Sequence, residues 1–397
     1  MRVSTLSMQQ GGVASMLRSQ GELARTQAQI ATGKRIVTAA DDPSGAVKVQ
    51  QIERALAANQ QYAANAAVLS GRLGTEEQAL ADAGNTLMRV QELALQANNG
   101  IIDAGSRQAI AVEIRARAEE LLAIANRQDA SGEAVFGGTR TAGRPFGRDG
   151  ASISYAGDSG RREIQISSNQ RIANGHPGDD VFLEIPGGNG IFRATAASTN
   201  TGTGILDPGT MTNRAVWVPG TYTVQFDSPT SYQVRDAANA VIGAGAYESG
   251  GSITLNGAQI AIAGNPAIGD RFTIAPAGFL DVFSTLDSMV AALESPADTP
   301  ATRSRLGSEL NGIIQQLGQA TDHLLNVRAD VGSRLSRLDA VNSTREDLDL
   351  ELNSSRSLLQ DVDYSTAITR MNAQMVTLQA AQQSYTRIAG LSLFDYL

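Results

Sequence analysis

The chain of 397 residues has no cysteine, two lysines, two histidines and one tryptophan, and only 5% of its residues are aromatic. Without cysteine it can form no disulfide bond and no thiolate site, so its folding does not depend on an oxidising compartment. Its net charge is −8, and Lys34 and Lys48 are its only lysines. These features argue against a nucleic-acid-binding protein, which normally has clustered basic residues.

Residue patterns for catalysis and for cofactor binding are also missing. His176 and His323 are far apart and belong to no zinc-binding motif, and a Ser/His/Asp triad would need one of them. Gly33-Lys34 lacks the earlier glycine of a phosphate-binding loop, and Gly187-Gly188-Asn189-Gly190 does not open a helix. We therefore expect no enzymatic activity, no catalytic residue, no metal and no cofactor.

Long apolar runs are absent as well. No segment approaches the 18 or so uncharged apolar residues of a transmembrane helix. The first residues lead into a polar amphipathic stretch and not into the apolar core of a cleavable signal peptide. We expect either a cytoplasmic protein or one that is exported by a route that recognises another feature.

Residues 361–397 have unusually little charge. Between positions 364 and 393 the only charged residues are Arg370 and Arg387. Positions spaced alternately four and three apart predict the seam of a coiled coil, meaning the positions that face a partner helix. The apolar seam residues are Ile368, Met371, Met375, Leu378 and Tyr385. Because the other faces are polar but uncharged, we predict a helix that packs against several neighbours, including other chains.

Residues 1–33 repeat this pattern. The apolar seam residues predicted there are Val13, Met16, Leu23 and Ile30. Gln20, Gln27 and, in the last helix, Gln382 also fall on the seam, where polar residues can fix the register. An ordinary helical hairpin is the simpler interpretation. We predict that the two ends pair, and that the nine apolar residues form an assembly interface.

Capping residues separate both ends from the rest of the chain. Gly33 suits the left-handed position that ends a helix, and Asp42 followed by Pro43 is typical of a helix start. Asp361 and Asp363 precede the last helix in the same way. We predict that Asp42, Pro43, Asp361 and Asp363 cap helices at a domain junction.

Long heptad patterns follow on both sides of the middle of the chain. One helix is predicted from Pro43 to about residue 98, and a second over about 106–128. After residue 276 helices are predicted over 281–293 and from Thr299-Pro300 to about residue 359.

The middle of the chain has a different composition. Residues 137–278 contain 24 of the 40 glycines and 8 of the 11 prolines. Alternating patterns such as Thr221-Tyr222-Thr223-Val224 predict strands, and Asn256-Gly257 predicts a tight hairpin turn. The fold class is therefore α+β and multidomain. The predicted division is 1–43 with 361–397 as a terminal coiled-coil domain, 44–176 with 276–360 as a helical rod with a β-hairpin, and 177–275 as an outer β-rich domain.

Short motifs at both ends match a known family. At the amino end they are Met1-Arg2-Val3-Ser4-Thr5, Ile30-Ala31-Thr32-Gly33-Lys34-Arg35-Ile36 and Asp41-Asp42-Pro43-Ser44-Gly45-Ala46. At the carboxyl end they are Asp361-Val362-Asp363-Tyr364 and Leu391-Ser392-Leu393-Phe394. Together they resemble the flagellin-like axial proteins of bacterial flagella, and among these the members that form the hook–filament junction. The resemblance covers roughly residues 1–130 and 280–397 and identifies nothing within 177–275.

The resemblance implies an inner domain built from both chain ends, a helical rod and an outer β domain. It also implies a structural role, in which a ring of identical subunits joins hook-associated protein 1 on the hook side to flagellin. Export would proceed through the flagellar type III channel without a cleaved signal peptide, and a dedicated export chaperone would hold the carboxyl-terminal region. The expected location is the extracellular flagellum, with no nucleic-acid or membrane partner.

Three alternatives stay open from the sequence. The nearest is a flagellin that polymerises into the filament itself. A second is an enzyme with its active site on the β-rich insertion, and a third is a cytoplasmic coiled-coil scaffold or signalling protein.

Overall fold

The computed structural model describes residues 5–99, 102–150 and 152–394. Helices form both ends of the chain and strands form its middle, so the predicted α+β class is confirmed. The helices are α1 (Thr5–Thr32), α2 (Pro43–Ala97), α3 (Ala104–Ala125), α4 (Gly178–Phe182), α5 (Val282–Glu294), α6 (Pro300–Gln360) and α7 (Tyr364–Phe394). The strands are β1 (Phe146–Asp149), β2 (Ser152–Tyr155), β3 (Glu163–Gln165), β4 (Arg171–Ala173), β5 (Ile185–Pro186), β6 (Phe192–Ala196), β7 (Ile205–Met211), β8 (Tyr222–Ser228), β9 (Ser231–Arg235), β10 (Val241–Ala246), β11 (Ser252–Leu255), β12 (Ala258–Ala263), β13 (Arg271–Pro276) and β14 (Phe279–Leu280).

The chain divides into two compact units. The first contains residues 1–64 and 340–397, and the second contains residues 65–339. In the first unit α1 and α7 pack against each other. Helix α1 ends at Thr32, and Gly33 has a φ of +69°, as predicted for a left-handed helix end.

The second unit has a helical core in which α3 packs against α5. The heptad pattern predicted for α2 is confirmed there by its buried positions, which are Ala66, Leu69, Leu73, Glu76, Leu80, Ala83, Leu87, Val90 and Ala94. On α6 the predicted seam is buried as far as Leu338, which is the last buried residue of this helix. On α3 the apolar residues Ile110, Ile114, Leu121, Ile124 and Ala125 are buried.

A cluster of aromatic rings joins the helical core to the segment after residue 176. Phe182 of α4 lies 5.2 Å from Phe136 and 5.7 Å from Phe146, measured between ring centroids. Phe283 of α5 lies 5.6 Å from Phe146. All of these rings are fully buried, so the short helix α4 packs with the helical core.

The β-rich middle of the same unit consists mainly of two antiparallel sheets. One has the strand order β10-β9-β8-β13-β6 and the other β11-β12-β7. Their shared core begins at Phe192 and includes Val224, Phe226, Ile260 and Phe272, all almost fully buried. Asn256 and Gly257 form the predicted turn between β11 and β12, with positive φ angles of 47° and 80°.

Hydrogen bonds hold this β region to α6 within the second unit. The backbone N–H of Leu206 donates to Ser308 Oγ at 2.9 Å, and Asn311 Nδ2 donates to the Leu206 carbonyl at 3.0 Å. Gln315 Nε2 donates to the Gly209 carbonyl at 3.1 Å. At the base of the region Phe192 pairs directly with Pro276, so its two ends lie side by side.

In the part of the chain that the structure describes, no helix is both long enough and apolar enough to cross a lipid bilayer.

Candidate assembly surface at the paired chain ends

The heptad pattern of both terminal helices is present, with one correction to its register. On α1 Met16, Leu23 and Ile30 are partly buried as predicted, and on α7 so are Met371, Met375, Leu378 and Tyr385. Gln20, Gln27 and Gln382 are exposed, so their predicted place on the seam is wrong. The covered positions are one residue earlier, namely Ser19 and Thr26 on α1 and Ala381 on α7.

Small side chains at these covered positions allow the two helices to approach closely. A ring carbon of Tyr385 lies 3.5 Å from the point that a Cβ on Gly12 would occupy. The sequence does contain a signal for this register, a run of small residues at positions 12, 19, 26 and 33 beside the larger apolar ones. The seam is therefore narrower than predicted.

This register leaves several apolar side chains in solvent. Val13 is 39% exposed and Ile368 44% exposed, although both were predicted to be interface residues. Leu17 and Val376 are exposed by 63% and 65%. Because these residues do not cover each other within the chain, the two helices present apolar surface to whatever lies outside it.

Several contacts of the first unit lie where the two ends of the chain meet. Gln29 Nε2 donates to the Arg35 carbonyl at 2.7 Å, and Ile36 and Ala367 are buried. Two backbone hydrogen bonds cross here, from Arg35 N to the Gln360 carbonyl at 2.6 Å and from Val362 N to the Gly33 carbonyl at 2.9 Å.

Arg35 adds a side-chain contact that the sequence analysis missed. Its Nη2 donates to the Leu359 carbonyl at 2.7 Å, and its Nη1 lies 3.3 Å from Asp42 Oδ2. A cation at the carboxyl end of α6 is favourable because the helix dipole is negative there. The Thr-Gly-Lys-Arg turn thus connects the end of α6 to the start of α2.

Asp42 lies at the start of α2, directly before Pro43, the first residue of the helix. Its Oδ1 accepts from Gly45 N at 2.9 Å and from Ser44 Oγ at 3.1 Å, and these bonds, led by the Gly45 N–H, lower the pKa of Asp42. A Cβ on Gly45 would lie 2.4 Å from Asp42 Oδ2, which explains glycine at that position.

At the start of α7 the two aspartates differ. Asp363 accepts from Ser365 N at 3.0 Å and from Thr366 Oγ1 at 2.7 Å, and the Thr366 hydroxyl is the main cause of its lowered pKa. Asp361 instead accepts a hydrogen bond from Ser357 Oγ at the end of α6 and forms an isolated β-bridge with Lys34.

A second polar cluster surrounds His176 in the second unit. His176 Nδ1 lies 2.8 Å from Glu76 Oε1, and Nε2 lies 2.9 Å from Asp330 Oδ2 and 3.0 Å from Arg334 Nη2. Burial opposes ionisation of Asp330, but the Arg334 charge and the His176 contacts outweigh it and lower the pKa of Asp330. Both ring nitrogens are engaged by neighbouring side chains, so the cluster connects α2 to α6.

This cluster was invisible in the sequence because Glu76 and Asp330 are 100 and 154 positions away from His176. It does not form a metal site. Across the residues that the structure describes, His, Asp and Glu side chains nowhere gather in a group of three or more that could hold a metal ion.

Comparisons with known proteins agree with this architecture. Residues 3–141 match the model of the bacterial flagellin N-terminal helical region, and residues 314–397 match that of the C-terminal helical region. Residues 195–276, where the sequence alone identified nothing, match the D2-like domain of flagellar hook-associated protein 1.

Individual relatives extend the match to the whole chain. Flagellar hook-associated protein 3 of Escherichia coli K12 is 26% identical over 100% of this chain and 99% of its own. The crystal structure of Xanthomonas campestris FlgL is 36% identical, with a TM-score of 0.73, and covers 77% of this chain and 99% of its own. Hook-associated protein 3 of Legionella pneumophila is 29% identical, with a TM-score of 0.75, over 78% of this chain and 98% of its own.

The resemblance noted at the two chain ends is thus confirmed by matches over the full length. The chain belongs to the flagellin-like family of bacterial flagellar proteins, in the group of flagellar hook-associated protein 3.

Proposed function

We propose that this protein forms the junction ring between the hook and the filament of the bacterial flagellum. A second Legionella pneumophila structure, 28% identical over 100% of its own length, is described as the flagellar junction protein FlgL. The observation that carries the proposal is the exposed apolar surface of the paired helices α1 and α7, which neighbouring subunits would cover in a ring.

In this ring identical subunits pack through the two helices, with hook-associated protein 1 on one side and flagellin on the other. The nine interface residues are Val13, Met16, Leu23, Ile30, Ile368, Met371, Met375, Leu378 and Tyr385. Uncharged polar residues on the outer faces can bond to unlike neighbours without the cost of burying a charge. The protein has a structural role and no enzymatic one.

We further propose the three-domain division, with 1–43 and 361–397 as the inner domain and 44–176 and 276–360 as the rod. Asp42, Pro43, Asp361 and Asp363 then mark the junction between these two domains. The packing of Phe182 with Phe136 and Phe146 favours an outer domain that begins near residue 192 and not at 177.

Export through the flagellar type III channel, with a chaperone on the carboxyl-terminal region, completes the proposal and places the protein outside the cell. The low charge of α7 suits a segment that is held by a chaperone before it meets its final neighbours.

Flagellin is the second candidate, because Flagellin B of Vibrio cholerae is 25% identical over 93% of this chain. Immunogold labelling of isolated flagella separates the candidates. One narrow band at the base of the filament supports the junction ring, whereas label along the whole filament indicates a flagellin. Flagella without any label would contradict both.

A further inference from the structure

A cavity of about 470 Å³ lies in the second unit, between the helices and the β region. It is lined by the carboxyl end of α2, the start of α3, the start of α6 and residues 203 and 205 of the β region. Its volume is within the range of small-molecule sites. The flagellar role proposed above makes no use of it.

The unusual residue of this cavity is Arg107. Its side chain lines the cavity and is only 9% exposed. Among the residues that the structure describes, its Nε has no hydrogen-bond partner, and its Nη1 makes one long contact, 3.5 Å, to the Ile102 carbonyl. Within the described residues it forms no ion pair, and a guanidinium cannot lose its proton to escape the cost of burial.

The other buried arginine of this unit, Arg72, also has an Nε without a hydrogen-bond partner among the described residues, but its terminal nitrogens contact an acid. Arg72 Nη1 lies 2.7 Å from Asp129 Oδ2, and its Nη2 donates to the Ala134 carbonyl at 2.9 Å. The acid nearest to Arg107 in sequence, Asp103, instead caps α3 by accepting from Ser106 N at 2.7 Å. The Ser106 N–H lowers the pKa of Asp103 most and the Arg107 charge is the smallest of the causes that lower it, so among the described residues this acid acts on Arg107 only from beyond ion-pair distance.

The position of Arg107 near the start of its helix raises the free-energy cost of burying its charge. Arg107 N donates to the Asp103 carbonyl at 3.1 Å, so Arg107 lies in the first turns of α3. The dipole of a helix is positive at that end and disfavours a cation. The dipole of α3 therefore does not help to stabilise the buried charge of Arg107, whereas a bound anion would.

Further positive charge faces the same cavity. Arg303 lines it, and so does Pro300, the first residue of α6, where the positive end of a second helix dipole lies. None of the described lining residues is an aspartate or a glutamate. Much of the remaining wall is apolar, with side chains that include Ile102, Ile205 and Leu310.

From these features we propose that the cavity binds a carboxylate on a short aliphatic stem, with Arg107 and Arg303 on the carboxylate and the apolar wall on the stem. The carboxylate can come from a free aliphatic acid or from a glutamate side chain of another protein chain. Both sources present the same group to the two guanidinium ions.

Hexanoate is the first probe, and hexan-1-ol is its uncharged counterpart. We expect hexanoate to bind the full-length protein saturably in calorimetry and to raise its melting temperature, whereas hexan-1-ol does neither. Arg107→Gln should weaken hexanoate binding about tenfold or more, because it removes a charge-assisted contact. Arg115→Gln is the matched control, since Arg115 is on the same helix but pairs with Glu294.

A blocked leucyl-glutamate amide is the second probe and distinguishes the two sources. Binding of hexanoate indicates a free acid, and binding of the dipeptide alone indicates a glutamate from another chain. Should Arg107→Gln fail to fold, Arg303→Gln replaces it, because Arg303 is exposed at the rim.

Any of three results would contradict the proposed carboxylate site. The first is that neither probe binds at up to about 10 mM, and the second is that hexan-1-ol binds as tightly as hexanoate. The third is that both arginine variants bind hexanoate as tightly as the unmodified protein.

Discussion

Two adjacent residues of α7, Met375 and Val376, lie on the surface that we propose contacts neighbouring subunits. Met375 is partly buried in the isolated chain and lies beside Val376, which is 65% exposed. Methionine can repack against unlike surfaces because its side chain is flexible and polarizable. This suits the proposed junction ring, in which the neighbours on the two sides of a subunit would be different proteins.

Met375→Asp should therefore leave the isolated protein folded but abolish attached filaments, because every subunit of the ring would bury an unpaired charge. Circular dichroism of the purified variant and counts of attached filaments in complemented cells measure the two effects. Met375→Leu keeps the apolar contact and should retain filaments. Normal filaments with aspartate at this position would mean that this face of α7 stays in solvent.

His176, unlike the α7 residues, makes its contacts within the chain. Glu76 is completely buried, and His176 contacts it both through Nδ1 and through its own backbone N–H, the latter at 2.9 Å. His176→Ala should lower the free energy of unfolding of the helical core by about 2–4 kcal/mol, because a buried carboxylate loses a partner. Helical circular dichroism during urea unfolding measures this loss.

The second histidine provides the control for that experiment. His323 Nε2 donates to the Asp180 carbonyl at 2.7 Å, and this side chain is only partly buried. His323→Ala should therefore cost only about 1 kcal/mol. Equal losses for the two variants would show that the Glu76 contact adds no stability of its own.

Among the elements, the β11–β12 hairpin depends on its turn. A Cβ on Gly257 would lie 2.1 Å from the Asn213 carbonyl oxygen, and the φ of this residue is +80°. Gly257→Ala should destabilise the β region by at least about 3 kcal/mol, through backbone strain and this clash. Fluorescence of Trp217, the only tryptophan, reports on this region alone.

A substitution at Gly250 distinguishes the effect of backbone strain from that of the steric clash. Its φ is +79°, but a Cβ there would have no atom within 4 Å. Gly250→Ala should therefore cost only about 1–2 kcal/mol from the left-handed backbone. If both variants unfold at the same urea concentration, the clash at Gly257 is relieved by movement of the loop around Asn213.

Elements with a strong local signal were predictable from the sequence. Gly33, Asp42-Pro43, Thr299-Pro300 and Asn256-Gly257 each determine a backbone conformation by their own chemistry, and the structure has a helix end, a helix start or a turn at each. The long helices were also predictable, because the heptad spacing repeats over many turns.

Features that depend on distant neighbours were not predictable. Helix α4 is too short to have a period, so nothing in the sequence indicated that Phe182 packs with Phe136. The choice between Gln27 and Thr26 on the α1 seam depends on the approach of α7, which local hydrophobicity does not encode. Arg107 showed nothing unusual until its burial was known.

For the molecule as a whole, the β region is an insertion whose ends meet at Phe192 and Pro276. Replacing residues 193–275 by a short Gly/Ser linker should leave the helical core cooperatively folded, because the linker closes a gap between paired residues. Replacing 177–275 also removes Phe182, so this longer deletion should melt at a lower temperature. Thermal melts followed by circular dichroism compare the two.

Loss of cooperative melting in the shorter deletion would contradict this expectation. It would show that the bonds from the β region to Ser308, Asn311 and Gln315 are needed to hold α6 in the core.

Both terminal arms should be the least protected part of the isolated protein. None of the nine proposed interface residues is fully buried, so solvent competes with the pairing of α1 and α7 at each of them. In limited trypsin digestion of the dilute monomer, cleavage should occur first at Arg18, Arg25, Arg370 and Arg387, while residues 44–360 stay intact. Arms that resist digestion as well as the core would mean that they are stable without neighbours.

The bonds that join the two arms have a consequence for the order of folding. Arg35 and Leu359 are 324 positions apart, and yet the side chain of one bonds to the carbonyl of the other. Contacts of such sequence separation form late, because everything between them must first become compact. During vectorial emergence, from a ribosome or from a narrow channel, the amino-terminal arm appears first and waits longest for its partner. It stays unpaired until nearly the entire chain has emerged.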